Sequence, residues 1–159
     1  MRDLRLGAPV SPLRWALLTA SGVLALDQLT KWWVVATLPG EPITLIDGFL
    51  DLRYVTNSGA SFSMLQGAGS LIAVAVIAIV VLIVMLVRKI AHTPEAIAFG
   101  LVLGGAIGNL ADRIFRGPGF FDGAVVDFVD FSFFPAFNVA DSAVSVGAVL
   151  LLGLAFFRK

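Results

Sequence analysis

Between Gly69 and Val87 there is not one charged residue, and Arg88-Lys89 closes the run. A helix rises about 1.5 Å per residue, so a stretch of this length reaches across the roughly 30 Å hydrocarbon core of a bilayer. In hydrocarbon the backbone must satisfy its own hydrogen bonds, which selects a helix. Further apolar runs cover Leu13 to Leu38, Ala96 to Leu110 and the stretch from Asn138 to Phe157. Only 14% of the chain is charged, whereas about a quarter is usual for a soluble domain. The expected fold is one α-helical integral membrane domain over residues 1–159, with four transmembrane helices at about 13–38, 69–88, 95–113 and 138–157. Arg2, Arg5 and Arg14 ahead of the first run also fit a cleaved signal peptide. That run, however, continues past Lys31 to Leu38, beyond the about 7–15 residues of a signal core, and is read as the first span.

The segments between the spans differ from them. Asp47-Gly48 lies between Ile43–Ile46 and Phe49–Thr56, a strong hairpin signal. Leu50, Leu52 and Tyr54 would share one face, with Asp51 and Arg53 on the other. Val125 to Phe134 also reads as extended, with Asp127 facing as Val125 and Val129 do, and Asp130 the other way. A small extracytoplasmic sheet on the membrane is expected from about 42–66 and 123–134, with a short interfacial helix near Ser61–Gln66. Asn57 belongs either to an ordinary loop or to a place where its amide meets a substrate backbone.

Several chemistries lack their residues. There is no cysteine, so thiol catalysis, disulfides and cysteine-ligated metals are excluded. His92 is the one histidine, so a histidine-rich zinc site is not expected, nor is any metal or cofactor. The formal net charge is zero, which advertises no nucleic-acid surface.

What remains are polar groups inside apolar sequence. Asp127 and Asp141 sit in or beside hydrophobic runs, where an ionised carboxylate is costly unless paired, hydrogen-bonded or protonated. Such acids at membrane depth are candidates for function. Two facing carboxyls hold a base and an acid together, because both cannot easily ionise. Asp27 and Lys31 are i,i+4 on the first span, either a mutually neutralising pair near the interface or a brace for the site. On the third span Gly100, Gly104 and Gly108 make a small-residue row for close packing. Gly105, Asn109, Asp112 and Arg113 make a second row, with an Asp112–Arg113 ion pair expected at the helix end and Arg113 read as a scaffold for carboxylates. Thr93 is the expected cap of this helix, and Asn138 of the fourth, with Asp141 in its first turn.

Basic residues give the orientation. Arg2, Arg5, Arg14, Arg88, Lys89, Arg158 and Lys159 fall on one side of a four-span arrangement, outnumbering Arg53, Arg113 and Arg116 on the other. Both termini are therefore expected in the cytoplasm. Asp27, Asn57, Asn109, Asp112, Arg113, Asp127, Asn138 and Asp141 then gather near the outer leaflet. A proton-relaying transporter would spread such groups across the bilayer and often carry inverted repeats, and none is visible. A purely structural assembly protein would explain the glycine row but not the acids.

Five segments together resemble the bacterial lipoprotein signal peptidases, also called signal peptidase II. They are Asp27-Gln28-Leu29-Thr30-Lys31, Asn57-Ser58-Gly59-Ala60-Ser61-Phe62, Gly104-Gly105-Ala106-Ile107-Gly108-Asn109-Leu110-Ala111-Asp112-Arg113, Val125-Val126-Asp127-Phe128 and Phe137-Asn138-Val139-Ala140-Asp141. Ser61 stands where this family often has alanine. The resemblance implies an aspartic endopeptidase of the bacterial inner membrane, cutting signal peptides from diacylglyceryl-modified prolipoproteins before the lipid-bearing cysteine. It implies Asp127 and Asp141 as the catalytic pair. It implies Asn57, Asn109, Arg113 and Asn138 around the substrate or inhibitor, Asp27, Lys31 and Asp112 in support, and Gly59 and Ala140 as substrate-binding or site-supporting. An outer β-cradle, contact with membrane lipids and inhibition by cyclic peptide antibiotics such as globomycin follow from the same resemblance. A monomer is the expected state.

Overall fold

The structure, a computed structural model, describes residues 10–58, 69–117 and 123–157, and only the backbone of 69–73. In order the elements are α1 (Pro12–Thr37), β1 (Ile43–Ile46), β2 (Leu50–Asn57), α2 (Gly69–Val87), α3 (Thr93–Phe115), β3 (Val125–Phe131), β4 (Phe134–Phe137) and α4 (Val139–Phe157). The expected interfacial helix near Ser61–Gln66 and the candidate Gly59 lie outside the described residues.

Local chemistry sets the helix starts. Ser11 Oγ accepts from Arg14 N at 3.4 Å, and Pro12 follows at the first helical position. The α3 cap is not Thr93. The helix already begins there, with His92 in the cap position and no side-chain cap bond. Pro94 accounts for the start, because its fixed φ suits a first turn that needs no N–H. At α4, Asn138 Oδ1 accepts from Asp141 N at 2.9 Å, and Asn138 N donates to Asp141 Oδ2 at 3.2 Å. This is a reciprocal capping box.

Small residues let α3 lie between α1 and α4. A methyl group on Gly100 or Gly104 would stand 2.6 or 2.7 Å from the carbonyl oxygens of Ala16 and Ala20 on α1. One on Gly105 would run into the Ala140 carbonyl on α4, and Gly147 of α4 is closed in the same way by Ala98 and Val102. Close backbone approach of this kind substitutes for the hydrophobic drive that is missing in lipid. Toward one end, Ile83 and Val87 of α2 share a buried cluster with Ala16, Ala20, Ala96 and Leu103. Large apolar side chains point outward instead, among them Leu18, Leu29, Trp32, Val149 and Leu152. By length and composition α3 and α4 can cross a membrane, while Val74–Val87 of α2 counts as a shorter apolar helix.

At the other end lies an antiparallel sheet of order β1-β2-β3-β4. Gly48 turns the first hairpin with φ 65°, and Phe49 N donates to Ile46 O at 3.0 Å across it. The outer β region extends past the expected limit near 134, because Phe134–Phe137 forms an edge strand. Pro135 obscured it in the sequence, yet an edge tolerates a missing N–H. Leu50, Asp51 and Leu52 stand opposite Phe131, Asp130 and Val129, whereas Val55, Thr56 and Asn57 stand opposite Asp127, Val126 and Val125. Arg53 and Tyr54 thus both oppose Phe128, forming a bulge. The extra residue breaks the expected Leu50, Leu52, Tyr54 face and turns Val55 and Asn57 to the side of Asp127. Val34 and Leu38 at the end of α1 pack with Val126 and Phe128, seating the sheet on the helices.

Candidate active site

Strand β3, the end of α3 and the start of α4 converge on Asn138. This side chain is fully buried. Its Nδ2 donates to Asp127 Oδ1 at 2.7 Å, and to Val126 O and Asn109 Oδ1 at 3.2 Å each. Its Oδ1 and backbone N–H hold Asp141 through the capping box. One asparagine therefore touches both candidate acids. Asn109 Nδ2 donates to Asp141 Oδ1 at 2.8 Å, and Asn57 Nδ2 to Asp127 Oδ2 at 3.1 Å. Each carboxyl is oriented at both of its oxygens by a neutral N–H donor, which fixes direction without adding charge.

Asp127 is only 2% exposed, and it lines a cleft of about 290 Å³ together with Arg53, Thr56, Asn57, Ser58 and Pro135. Burial pushes its pKa up from 3.8 to about 6. The Asn57 bond works against this, the negative charge of Asp141 adds to it, and Asn138 and Lys31 oppose it. Asp141 is partly exposed. Asp130, as its opposite facing suggested, leaves this site and pairs with Arg53 at 2.6 Å. A larger cavity of about 610 Å³ lies away from the acids, between His92 and Pro94 on one side and Val149, Leu154 and Phe157 on the other. Its lining is mostly apolar.

Behind the acids lies a buried ionic cluster. Lys31 Nζ is 2.9 Å from Asp27 Oδ2, 2.9 Å from Asp112 Oδ2 and 2.8 Å from Asn109 Oδ1. Lys31 and Asp27 are both fully buried, so Lys31 does not reach out to the interface. Gly108 leaves the room, since a methyl group there would stand 2.6 Å from Asp27 Oδ2. Asp112 does not use Arg113 as its ion pair. Among the described residues its cations are Lys31 and Arg116, the latter at 2.8 Å and one turn on. Arg113 lies within electrostatic range of Asp127, Asp112 and Asp141. Ala140 contributes its backbone N–H, which donates to Asp27 Oδ1 at 3.0 Å.

Gln28 and Arg116 also belong to this cluster. Gln28 Nε2 donates to Asp27 Oδ2, Gly108 O and Asp112 Oδ1 at 3.1–3.2 Å. The i,i+4 spacing of Asp112 and Arg116 was a usable signal. Nothing in the spacing of Gln28 pointed across to α3. Asp27, Asp112, Asp127 and Asp141 face the cations Lys31, Arg113 and Arg116. With one proton retained, four acids and three cations balance, and Asp127 is the acid that burial drives toward holding it. No group of three or more His, Cys, Asp or Glu among the described residues is gathered as metal ligands would be.

The family model described as Signal peptidase (SPase) II matches residues 19–157. The chain is 46% identical to the Lipoprotein signal peptidase of Rhodococcus jostii over 149 residues, 92% of this chain and 75% of that one. It is 45% identical to the Lipoprotein signal peptidase of Streptomyces coelicolor over 146 residues, 90% and 72% of the two. Among solved structures, one described as a bacterial membrane enzyme, determined by the in meso method, superposes with a TM-score of 0.78 at 30% identity. It covers 91% of this chain and 93% of its own. A second of the same description gives 0.76 at 31%, covering 91% of each.

Proposed function

The chain belongs to the signal peptidase II family, and from that membership and the geometry around Asn138 we propose that it removes signal peptides from lipid-modified prolipoproteins with Asp127 and Asp141 as its catalytic pair. The observation that carries this reading is the double attachment of Asn138, which holds Asp127 Oδ1 through its amide and Asp141 through the capping box. A cap alone would explain Asp141. It would not explain a second acid, itself buried, on the same asparagine and lining a cleft.

Asp127 is the proton holder below about pH 6, because burial favours its neutral form. Asp141 takes a proton from water as the oxygen attacks the scissile carbonyl. Asp127 hydrogen-bonds the developing oxyanion. The proton taken up by Asp141 then passes to the leaving nitrogen as the C–N bond breaks. Asn57, Asn109 and Asn138 hold the two carboxyls, and Arg113 tempers the negative charge that grows between them. Ala140 and Asp112 support the pair, and Gly59 belongs with the substrate contacts of the Asn57 segment.

All four long helices cross the inner membrane in this reading, with both termini cytoplasmic and the sheet as an outer β-cradle. The acids then lie near the outer leaflet, where the apolar signal segment, the diacylglyceryl group and water meet. One chain supplies every group of the site, so a monomer suffices. Cyclic peptides of the globomycin type would compete for the same cleft. The test uses purified protein in detergent or bilayer with a synthetic lipid-modified signal peptide. Asp127→Asn and Asp141→Asn should each lower cleavage by about 10²–10⁴-fold while the protein stays folded. Near-normal turnover by either variant rejects the pair.

A further inference from the structure

We infer that Lys31 is a positioning residue for the Asp127/Asp141 pair: its ammonium ties together two buried acids, Asp27 and Asp112, each of which holds the backbone N–H immediately before one member of the pair. The inference rests on the proposed catalytic role of that pair. Asp27 Oδ1 accepts from Ala140 N at 3.0 Å, one residue before Asp141. Asp112 Oδ2 accepts from Val126 N at 3.1 Å, one residue before Asp127. Lys31 Nζ stands 2.9 Å from each of these acids. It also donates to Asn109 Oδ1 at 2.8 Å, and the amide of the same Asn109 donates to Asp141 Oδ1.

The two arms start on different helices, α1 and α3, and end on different elements, α4 and β3. The strand carrying Asp127 and the helix carrying Asp141 are thereby tied to one nitrogen atom. Lys31, Asp27 and Asp112 are all at most 1% exposed, so the tie is not loosened by water. Gln28 Nε2 bridges the same two acids from a second direction. Compensating Asp112 alone does not need Lys31, since Arg116 already pairs with that acid at 2.8 Å; Lys31 is the cation of Asp27 and reaches Asp112 in addition. A misplacement of about 1 Å in a reacting group can cost about 100-fold in rate, so a shared tether of this kind bears directly on turnover.

The test separates tethering from charge compensation. Lys31→Met alone leaves Asp27 buried without its cation, and should lose both stability and turnover. The double variant Asp27→Asn/Lys31→Met removes one charge of each sign, leaves Asp112 on Arg116, and keeps an amide oxygen for Ala140 N–H. Assayed below its melting transition with the synthetic lipid-modified signal peptide, it should melt nearer to wild type than Lys31→Met does. Its kcat should fall about ten-fold or more with KM held within about two-fold, because neither substituted residue lines the cleft and the reacting groups are what is displaced. A double variant that keeps at least about half of the wild-type kcat overturns the inference and leaves Lys31 as a counter-ion. The Asp127→Asn variant, run beside it, tests the catalytic pair separately. If that variant is inactive while the double variant is fully active, the pair stands and the tether falls.

Discussion

Burial acts on Asp127 against its charge, while the amides of Asn57 and Asn138 act for it, and burial prevails, leaving a carboxyl whose pKa is raised from 3.8 to about 6. Between those values the folded chain binds more of this proton than the unfolded chain does. The stability that Asp127 contributes is therefore complete in acid and is lost as the pH rises through about 6. Melting temperatures recorded across that range should show a fall that the Asp127→Asn variant lacks. In the proposed mechanism Asp127 is the proton holder, so kcat/KM should decline as the pH rises past about 6. A rate that instead climbs through that pH makes Asp127 the base. Asn57→Ala removes a bond to the charged form, so both transitions should move to higher pH. The two acids were legible in the sequence because a carboxylate beside Val125, Val126 and Phe128 has no cheap place to go. Gln28 was not, because an uncharged amide on a helix is ordinary until its partners on α3 are known.

At the scale of elements, the backbone bulge at Arg53 and Tyr54 decides which side chains can meet. A regular β2 would turn Asn57 away from the face of Asp127, and the one extra residue turns it back. Tyr54 would share a face with Leu50 and Leu52 only in an unbroken strand, and an irregularity of one residue leaves no mark on period-two alternation beforehand. The glycine rows were easier, because a four-residue spacing survives whatever the helix packs against. Gly100 and Gly104 meet α1, and Gly105, on the second row, meets α4 beside Ala140. Gly105→Ala should therefore cost about 1–3 kcal/mol by forcing α4 away, and should lower turnover, because the residue after Ala140 is Asp141. Gly22→Ala is the control. Nothing lies within 4 Å of a methyl group there, so its melting temperature should be unchanged or slightly raised. A Gly105→Ala variant that melts with Gly22→Ala would reject close contact with α4 as the reason for Gly105.

Over the whole molecule, the helices sort the chain into two ends. Ala16, Val87 and Ala96 gather at one, and Leu38, Val126 and Asn138 at the other. Arg14, Arg88 and Lys89 accompany the first end, and the sheet with both acids occupies the second. The proposed orientation places the first end in the cytoplasm. The chain has no cysteine, so single Asp47→Cys and His92→Cys variants are clean reporters. In intact spheroplasts a membrane-impermeant maleimide should label the first variant and spare the second until the membrane is opened. The reverse pattern rejects the orientation.

The helices, the first hairpin and the two acids could be read from local order alone. Apolar length, Asp-Gly between strand-like runs, and charge placed in hydrocarbon are each properties of a short stretch of chain. The meeting of those stretches could not be read in this way. Asn138 reaching both acids, the bulge that presents Asn57, and Lys31 standing between Asp27 and Asp112 join residues from separate elements. Their physical reason is packing. Glycines bring α1, α3 and α4 into backbone contact, and in the dry space that results each buried polar group must find its partner on another element. Only the folded chain decides which partner that is.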